Sequence, residues 1–227
     1  MGLGYHQFCP VAKAMELLDE RWTLLVVREL VCGSRHFNEL RRGLPRMSPT
    51  LLSRRLQQLR RAGVVDRRVE GGAVRYELTP AGEELRAVVE ALGAWGTRWI
   101  GHLGDPDLDP QLLLWDMHRN VHHDALPPGR TVVHVHFSDT APGVRDWWLL
   151  MDLHEADVCD LDPGLPVSVT ITGTLRGLTQ VWRGDRSWDD ALTCGVLRTQ
   201  GPEALRRALP GWFALSAFAA VPRPRTG

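Results

Sequence analysis

Ser48, Thr50, Ser53, Arg54 and Gln57 place hydroxyls, a guanidinium and an amide along one short stretch of chain. These are the groups that read base edges and grip phosphates. At roughly 100° per residue, Thr50, Arg54, Gln57 and Arg61 share one helix face and Ser53 flanks it, while Leu52, Leu56 and Leu59 share the opposite one. Arg54 suits bidentate pairing to guanine and Gln57 suits adenine. Arg35, Arg67, Arg68 and Arg75 are better placed for phosphates, Arg35 gaining from a nearby helix N-terminus.

These groups need a helix to hold them, and its boundaries are written in the chain. Ser48 is an N-cap, Pro49 fits the first helical position, and Gly63 ends the helix where a left-handed backbone costs least. Val64–Glu70 then meets Arg75–Leu78 across Gly71-Gly72-Ala73 as a strand-turn-strand. Upstream, Val11–Leu18 reads as a short helix and Trp22–Leu30 as a more buried one. A third begins near Ser34 or Arg35 and is broken at Leu44-Pro45. Helix, break, helix and hairpin make a winged helix-turn-helix, and duplex DNA is the expected partner.

Charge agrees once the chain is divided. The formal net charge is zero, yet residues 1–100 hold 16 Lys/Arg against 11 Asp/Glu, and residues 101–227 hold 11 against 16. Within residues 28–75, 12 Arg face only Glu29, Glu39, Asp66 and Glu70, a net of +8 where phosphate contacts are wanted.

Thr79-Pro80 opens a longer helix on which Leu85, Val88, Leu92, Trp95 and Trp99 recur at spacings of three and four, a stripe read as a dimer seam. The Gly-, Pro- and Asp-rich run 101–111 is the expected linker between domains 1–100 and 112–227. The second half mixes a helix over Leu112–Val121, strands at Thr131–Phe137, Val144–Asp152, Ala156–Leu161 and Val167–Thr172, and helices near 174–183, 187–194 and 202–209. Without βαβ regularity, this is an α+β domain.

Six ordered blocks carry a family resemblance: Cys9-Pro10 with Trp22-Thr23-Leu24-Leu25, Phe37-Asn38-Glu39-Leu40, Ser48-Pro49, Leu52-Ser53-Arg54-Arg55-Leu56, Ala62-Gly63-Val64-Val65, and Tyr76 through Gly82. Across about residues 5–100 they resemble the HxlR-type winged helix regulators. The resemblance implies a homodimer that binds a roughly palindromic operator and controls transcription. It also implies that Cys9 occupies a position which in some members senses oxidants or electrophiles, and Lys13, one turn on, stands where it could favour the thiolate. The second half resembles the sterol-carrier-protein fold over about 115–220, on Asp160–Gly164, Trp182–Asp185, Trp188–Leu192, Leu197, Gly201 and Trp212-Phe213. That implies an apolar pocket for a small hydrophobic molecule.

Adjacent Trp147-Trp148 point to opposite faces of a strand, so one of them lines a cavity, an interface or solvent. Met151 and Trp182 are its expected companions at a ligand. Cys32, Cys159 and Cys194 are expected in cores. His118 and His122 lie at i and i+4, and His134 and His136 share a strand face. Either pair has metal-ligand spacing, but no acidic motif of HExxH type accompanies them and Asp116 and Asp124 give weak support. They are read as surface or pocket-lining, with no metal and no cofactor expected.

Enzyme motifs are absent from the sequence: no Ser nucleophile elbow, phosphate loop, dinucleotide fingerprint or paired-carboxylate signature. With no leader-like start and no run of about 18 apolar residues, a cytoplasmic protein is expected. The leading expectation is a homodimeric, ligand-responsive repressor, α+β in class. Two alternatives stand beside it: a thiol switch at Cys9, and a hydrophobic-ligand carrier whose winged helix mediates protein contacts.

Overall fold

The computed structural model describes residues 4–100 and 102–224, and the chain divides into two compact units, Met1–Gly96 and Thr97–Gly227. The first contains α1 (Pro10–Leu18), α2 (Thr23–Val31), α3 (Phe37–Gly43), α4 (Pro49–Arg61), β1 (Val65–Glu70) and β2 (Ala73–Leu78). Helix α5 (Pro80–Trp99) spans the border between the units. A small core of Val26, Val27, Leu30, Leu40, Leu52, Leu56 and Leu59 joins α2, α3 and α4 to Val64 and Val65.

Two polar anchors fix α4 on the turn between α1 and α2, and α3 on α2. Buried Arg55 donates from Nε to the Arg21 carbonyl (3.0 Å), and its guanidinium also reaches Glu20 and Gln58, each at 2.6 Å. Glu29 has no solvent exposure. It accepts from Ser34 Oγ at 3.1 Å and from Arg28 at 2.5 Å, and Arg28 also donates to the Gly43 carbonyl. A Cβ at Gly43 would lie 1.8 Å from Glu29 Oε2, so only glycine lets α3 approach so closely.

Helix α3 starts two to three residues later than its sequence indicates. His36 is its N-cap, and the Glu39 carboxylate takes the backbone N–H groups of Arg35 (2.6 Å) and His36 (2.9 Å). The wing turns on Gly71 and Gly72, with φ of +57° and +84°, between the paired residues Glu70 and Ala73. Positive φ at both central positions is the type I′ turn that suits a twisted hairpin.

The second unit runs from a 3₁₀ turn at Asp105–Asp107 through α6 (Pro110–His118), β3 (Thr131–Phe137), β4 (Asp146–Met151), β5 (Ala156–Cys159) and β6 (Val169–Gly173). It continues with α7 (Leu175–Trp182), α8 (Trp188–Thr193), β7 (Leu197–Gln200) and α9 (Glu203–Ala208). The stretch read as a linker is tied into this unit: Arg176 donates to the Leu103 carbonyl at 3.0 Å and pairs with Asp105 at 2.6 Å. The five strands lie in the order β5-β4-β3-β6-β7, with β3 and β6 parallel and the other pairs antiparallel. Val133, Val135, Phe137, Trp147, Leu149, Met151 and Ile171 turn inward to Leu114, Leu178, Val181 and Trp212 from the helical layer.

Two expectations are corrected here, and one strand is added. Helix α6 stops at His118 rather than Val121, because Val121 bridges Phe213 and the neighbouring backbone bonds to Trp212 and Ala214. Strand β7 went unread, being four residues with one buried side chain at the sheet edge. Cys32 and Cys194 are exposed and Cys159 is half-buried, so none of the three is a core residue.

Candidate nucleic-acid interface

Helix α4 presents its polar face as the sequence pattern requires. Leu52, Leu56 and Leu59 are buried, while Thr50, Ser53, Arg54 and Gln57 are exposed. Ser48 Oγ accepts from the Leu51 N–H at 3.3 Å, so this hydroxyl serves as the cap. Between α4 and the wing lies a concavity of about 420 Å³ lined by Thr50, Ser53, Arg54, Leu56, Gln57, Arg60, Arg67 and Tyr76. Five of the residues singled out from sequence therefore share one surface with two that were not, Arg60 and Tyr76. Tyr76 pairs with Arg67 in the hairpin register, a neighbourhood visible only once the turn is fixed.

The remaining arginines divide differently. Arg35 turns away from the surface and donates to the carbonyls of Leu30 (2.6 Å) and Ser34 (3.2 Å), closing the end of α2. Arg68 and Arg75 lie opposite one another in the hairpin, one position out of phase with Arg67 and Tyr76. They pair with Glu77 at 3.3 and 3.8 Å, and Arg75 also reaches Glu70 at 3.5 Å. Only Arg67 of the three wing arginines lines the α4 concavity.

The α5 stripe splits. Val88, Leu92, Trp95 and Trp99 are exposed, Trp99 by 60%. Leu85 instead packs on the core of the first unit, because it shares the inward edge of the stripe with Val89. Cys9 is half-buried at the N-cap of α1, and the Lys13 ammonium is engaged with Glu16 at 2.8 Å.

The four side chains expected at a ligand do not converge. Trp147, Met151 and Trp182 are buried in the core, whereas Trp148 lies on the other face of the sheet, stacked on His134. Two open clefts occur elsewhere in the second unit. One, of about 680 Å³, is lined by Arg130, Val132, Asp152, Leu153, His154, Leu165, Pro166 and Val167 among others. The other, of about 670 Å³, lies between Trp188, Arg198 and Arg206. At the first, the Asp152 carboxylate accepts from the backbone N–H groups of His154 and Glu155, which holds it below the ordinary carboxylate range. The two histidine pairs also part company. His118 and His122 bond separately to the carbonyls of Trp115 and Gly211, whereas His134 and His136 meet on Asp146. Among the described residues, no helix is long and apolar enough to cross a membrane.

Comparison with known proteins matches the winged unit. An HxlR-like helix-turn-helix family model covers residues 17–103. The HTH-type transcriptional regulator YvaP of Bacillus subtilis is 37% identical over 102 residues, 43% of this chain and 94% of that protein. The HTH-type transcriptional regulator YodB of the same species is 33% identical over 95 residues, 40% of this chain and 85% of that protein. The solved structure of reduced YodB from B. subtilis is 32% identical and covers 41% of this chain and 95% of its own, with a TM-score of 0.37. The chain thus belongs to the HxlR-like helix-turn-helix family and is a transcriptional regulator of that type.

Proposed function

We propose that the chain is a homodimeric repressor that reads a palindromic operator through α4 and responds to a small hydrophobic molecule through its second unit. The observation that carries the reading is the concavity in which Thr50, Ser53, Arg54, Gln57 and Arg67 stand together, exposed, beside a basic wing. Arg54 and Gln57 are the base readers, Thr50 and Ser53 support them, and Arg60 and Arg67 hold phosphates. Ser48 fixes the start of the helix, and Arg68 and Arg75 exchange their wing carboxylates for phosphates on binding.

Exposed Val88, Leu92, Trp95 and Trp99 support the dimer, since large apolar side chains grouped along one helix face mark an interaction surface. Two-fold symmetry then sets two α4 helices about one DNA turn apart. The α+β build of the second unit supports a sterol-carrier-like domain, and its cleft of about 680 Å³ lies within the range of small-molecule sites. A ligand acts there only by favouring one dimer geometry, because equal affinity for two states shifts nothing. A second reading, an oxidant switch at Cys9, draws on its partial exposure.

The test is binding of the full chain to duplex DNA from upstream of its own coding region, at two salt concentrations, with and without fatty acids and sterols. Specific, salt-sensitive binding altered by an apolar compound is the expected outcome. Specific binding that ignores such compounds but responds to diamide, and loses that response in Cys9→Ser, replaces the ligand reading with the thiol one. Weak binding with little salt dependence overturns the DNA assignment and favours a carrier.

A further inference from the structure

His134 and His136 stand two residues apart on β3, so both rings leave the sheet on the face opposite the core. The antiparallel register sets Asp146 of β4 beside His136 and Trp148 beside His134. One carboxylate oxygen, Asp146 Oδ1, lies 2.8 Å from His134 Nε2 and 2.7 Å from His136 Nδ1. All three ligand atoms fall within 4.8 Å of one another. A tetrahedral ion with bonds of ~2.0–2.1 Å spaces its ligand atoms by about 3.3 Å, so small ring rotations close this set on one centre.

The surroundings suit an ion as well. Trp148 stacks on His134, with centroids 5.0 Å apart and planes 21° apart, which restricts the ring to few orientations. The two imidazoles are tilted by 58° and do not stack on one another. Their side chains are 22% and 33% exposed and that of Asp146 38%, so an ion reaches them from solvent and keeps water on its open side.

We propose that His134, His136 and Asp146 form a site for a late first-row divalent transition ion, with Zn²⁺ as its reference occupant. Two imidazoles and one carboxylate select such ions over Mg²⁺ and Ca²⁺, which prefer all-oxygen shells. Three protein ligands leave at least one position for water. Without metal, Asp146 Oδ1 takes hydrogen bonds from both rings. With metal, each neutral ring carries its proton on the other nitrogen, His134 on Nδ1 and His136 on Nε2, and the freed nitrogens bind the ion. The site needs neither the DNA-binding surface nor an apolar effector.

The experiment uses the untagged full-length chain, stripped with EDTA and dialysed, titrated with Zn²⁺ by calorimetry and with Co²⁺ by visible absorption. One ion per chain is expected, with a Co²⁺ spectrum that saturates at one equivalent. His136→Asn and Asp146→Asn should each weaken binding by at least about tenfold, the scale already seen for loss of supporting partners at metal sites. No single-equivalent isotherm in the wild-type chain, or equal affinity in wild type and both variants, overturns the site. Should the variants fail to fold, X-ray absorption of the wild-type Zn²⁺ complex decides. Two imidazoles with oxygen neighbours uphold it, and sulfur in the first shell overturns it.

Discussion

Arg54 and Arg67 line the same concavity from different elements, one on α4 and one on the wing, and their loss should be felt differently. In the proposed reading, replacing Arg54 with alanine removes a base reader. Specific binding should fall by about 1–3 kcal/mol, with relaxed base preference at one position in each half-site. Anisotropy titrations against a panel of single-base operator variants measure this, and an equal loss on every sequence would contradict the role. Replacing Arg67 should weaken binding to all sequences alike and reduce the salt slope by about one per half-site. Arg55 is the counter-example on the same helix. Its charge is buried on Glu20, Gln58 and the Arg21 carbonyl, so Arg55→Ala should destabilise the fold by about 2–4 kcal/mol before any DNA is present. The sequence distinguishes these arginines only in part. Helical phase exposes Arg54, but nothing local reveals that Arg35 bends back to the Leu30 carbonyl, since its partner belongs to the preceding helix. Asp146 was invisible for a related reason: it becomes the neighbour of His136 only through the β3–β4 register.

At the scale of elements, the winged unit was readable because its boundaries are chemical. Ser48-Pro49, Thr79-Pro80 and Gly71-Gly72 each do a local job that the backbone confirms, including the Thr79 hydroxyl that accepts from the Gly82 N–H at 3.1 Å. The second unit was readable where strands are long and apolar, as in β3, and unreadable at β7, whose placement depends on β6 alone. The α5 stripe shows the limit of periodicity: spacing groups Leu85 with Val88, Leu92, Trp95 and Trp99, but only packing tells which edge faces home. With Trp95 and Leu92 outward, the double change Leu92→Arg and Trp95→Arg should leave α5 folded and break the proposed dimer. Sedimentation velocity should report a monomer, with affinity for a full operator falling toward that for one half-site. A dimer that survives both charges would place the seam elsewhere. Gly43→Ala tests a different contact. The added methyl meets the Glu29 carboxylate, so about 1–3 kcal/mol should be lost in chemical denaturation.

At the scale of the whole chain, charge and compactness divide it the same way. The basic excess lies in residues 1–100 and the acidic excess in residues 101–227, while the compact units meet near Gly96 and Thr97. The charge difference has a measurable consequence. A fragment ending after Ile100 keeps α4, the wing and the entire α5 stripe, and removes 16 Asp/Glu along with 11 Lys/Arg. If the second unit only carries the response, this fragment should bind the operator with the same base preference as the full chain. Its salt slope should be no smaller than that of the full chain, because the phosphates neutralised at the interface are the same. Its affinity at low salt should rise, since an anionic segment no longer opposes approach to DNA and screening hides such distant repulsion beyond about 10 Å at 0.1 M salt. Any apolar effector should have no influence on it. A fragment that still responds to the effector would move sensing into the winged unit, and a smaller salt slope would mean that the second unit itself touches phosphate.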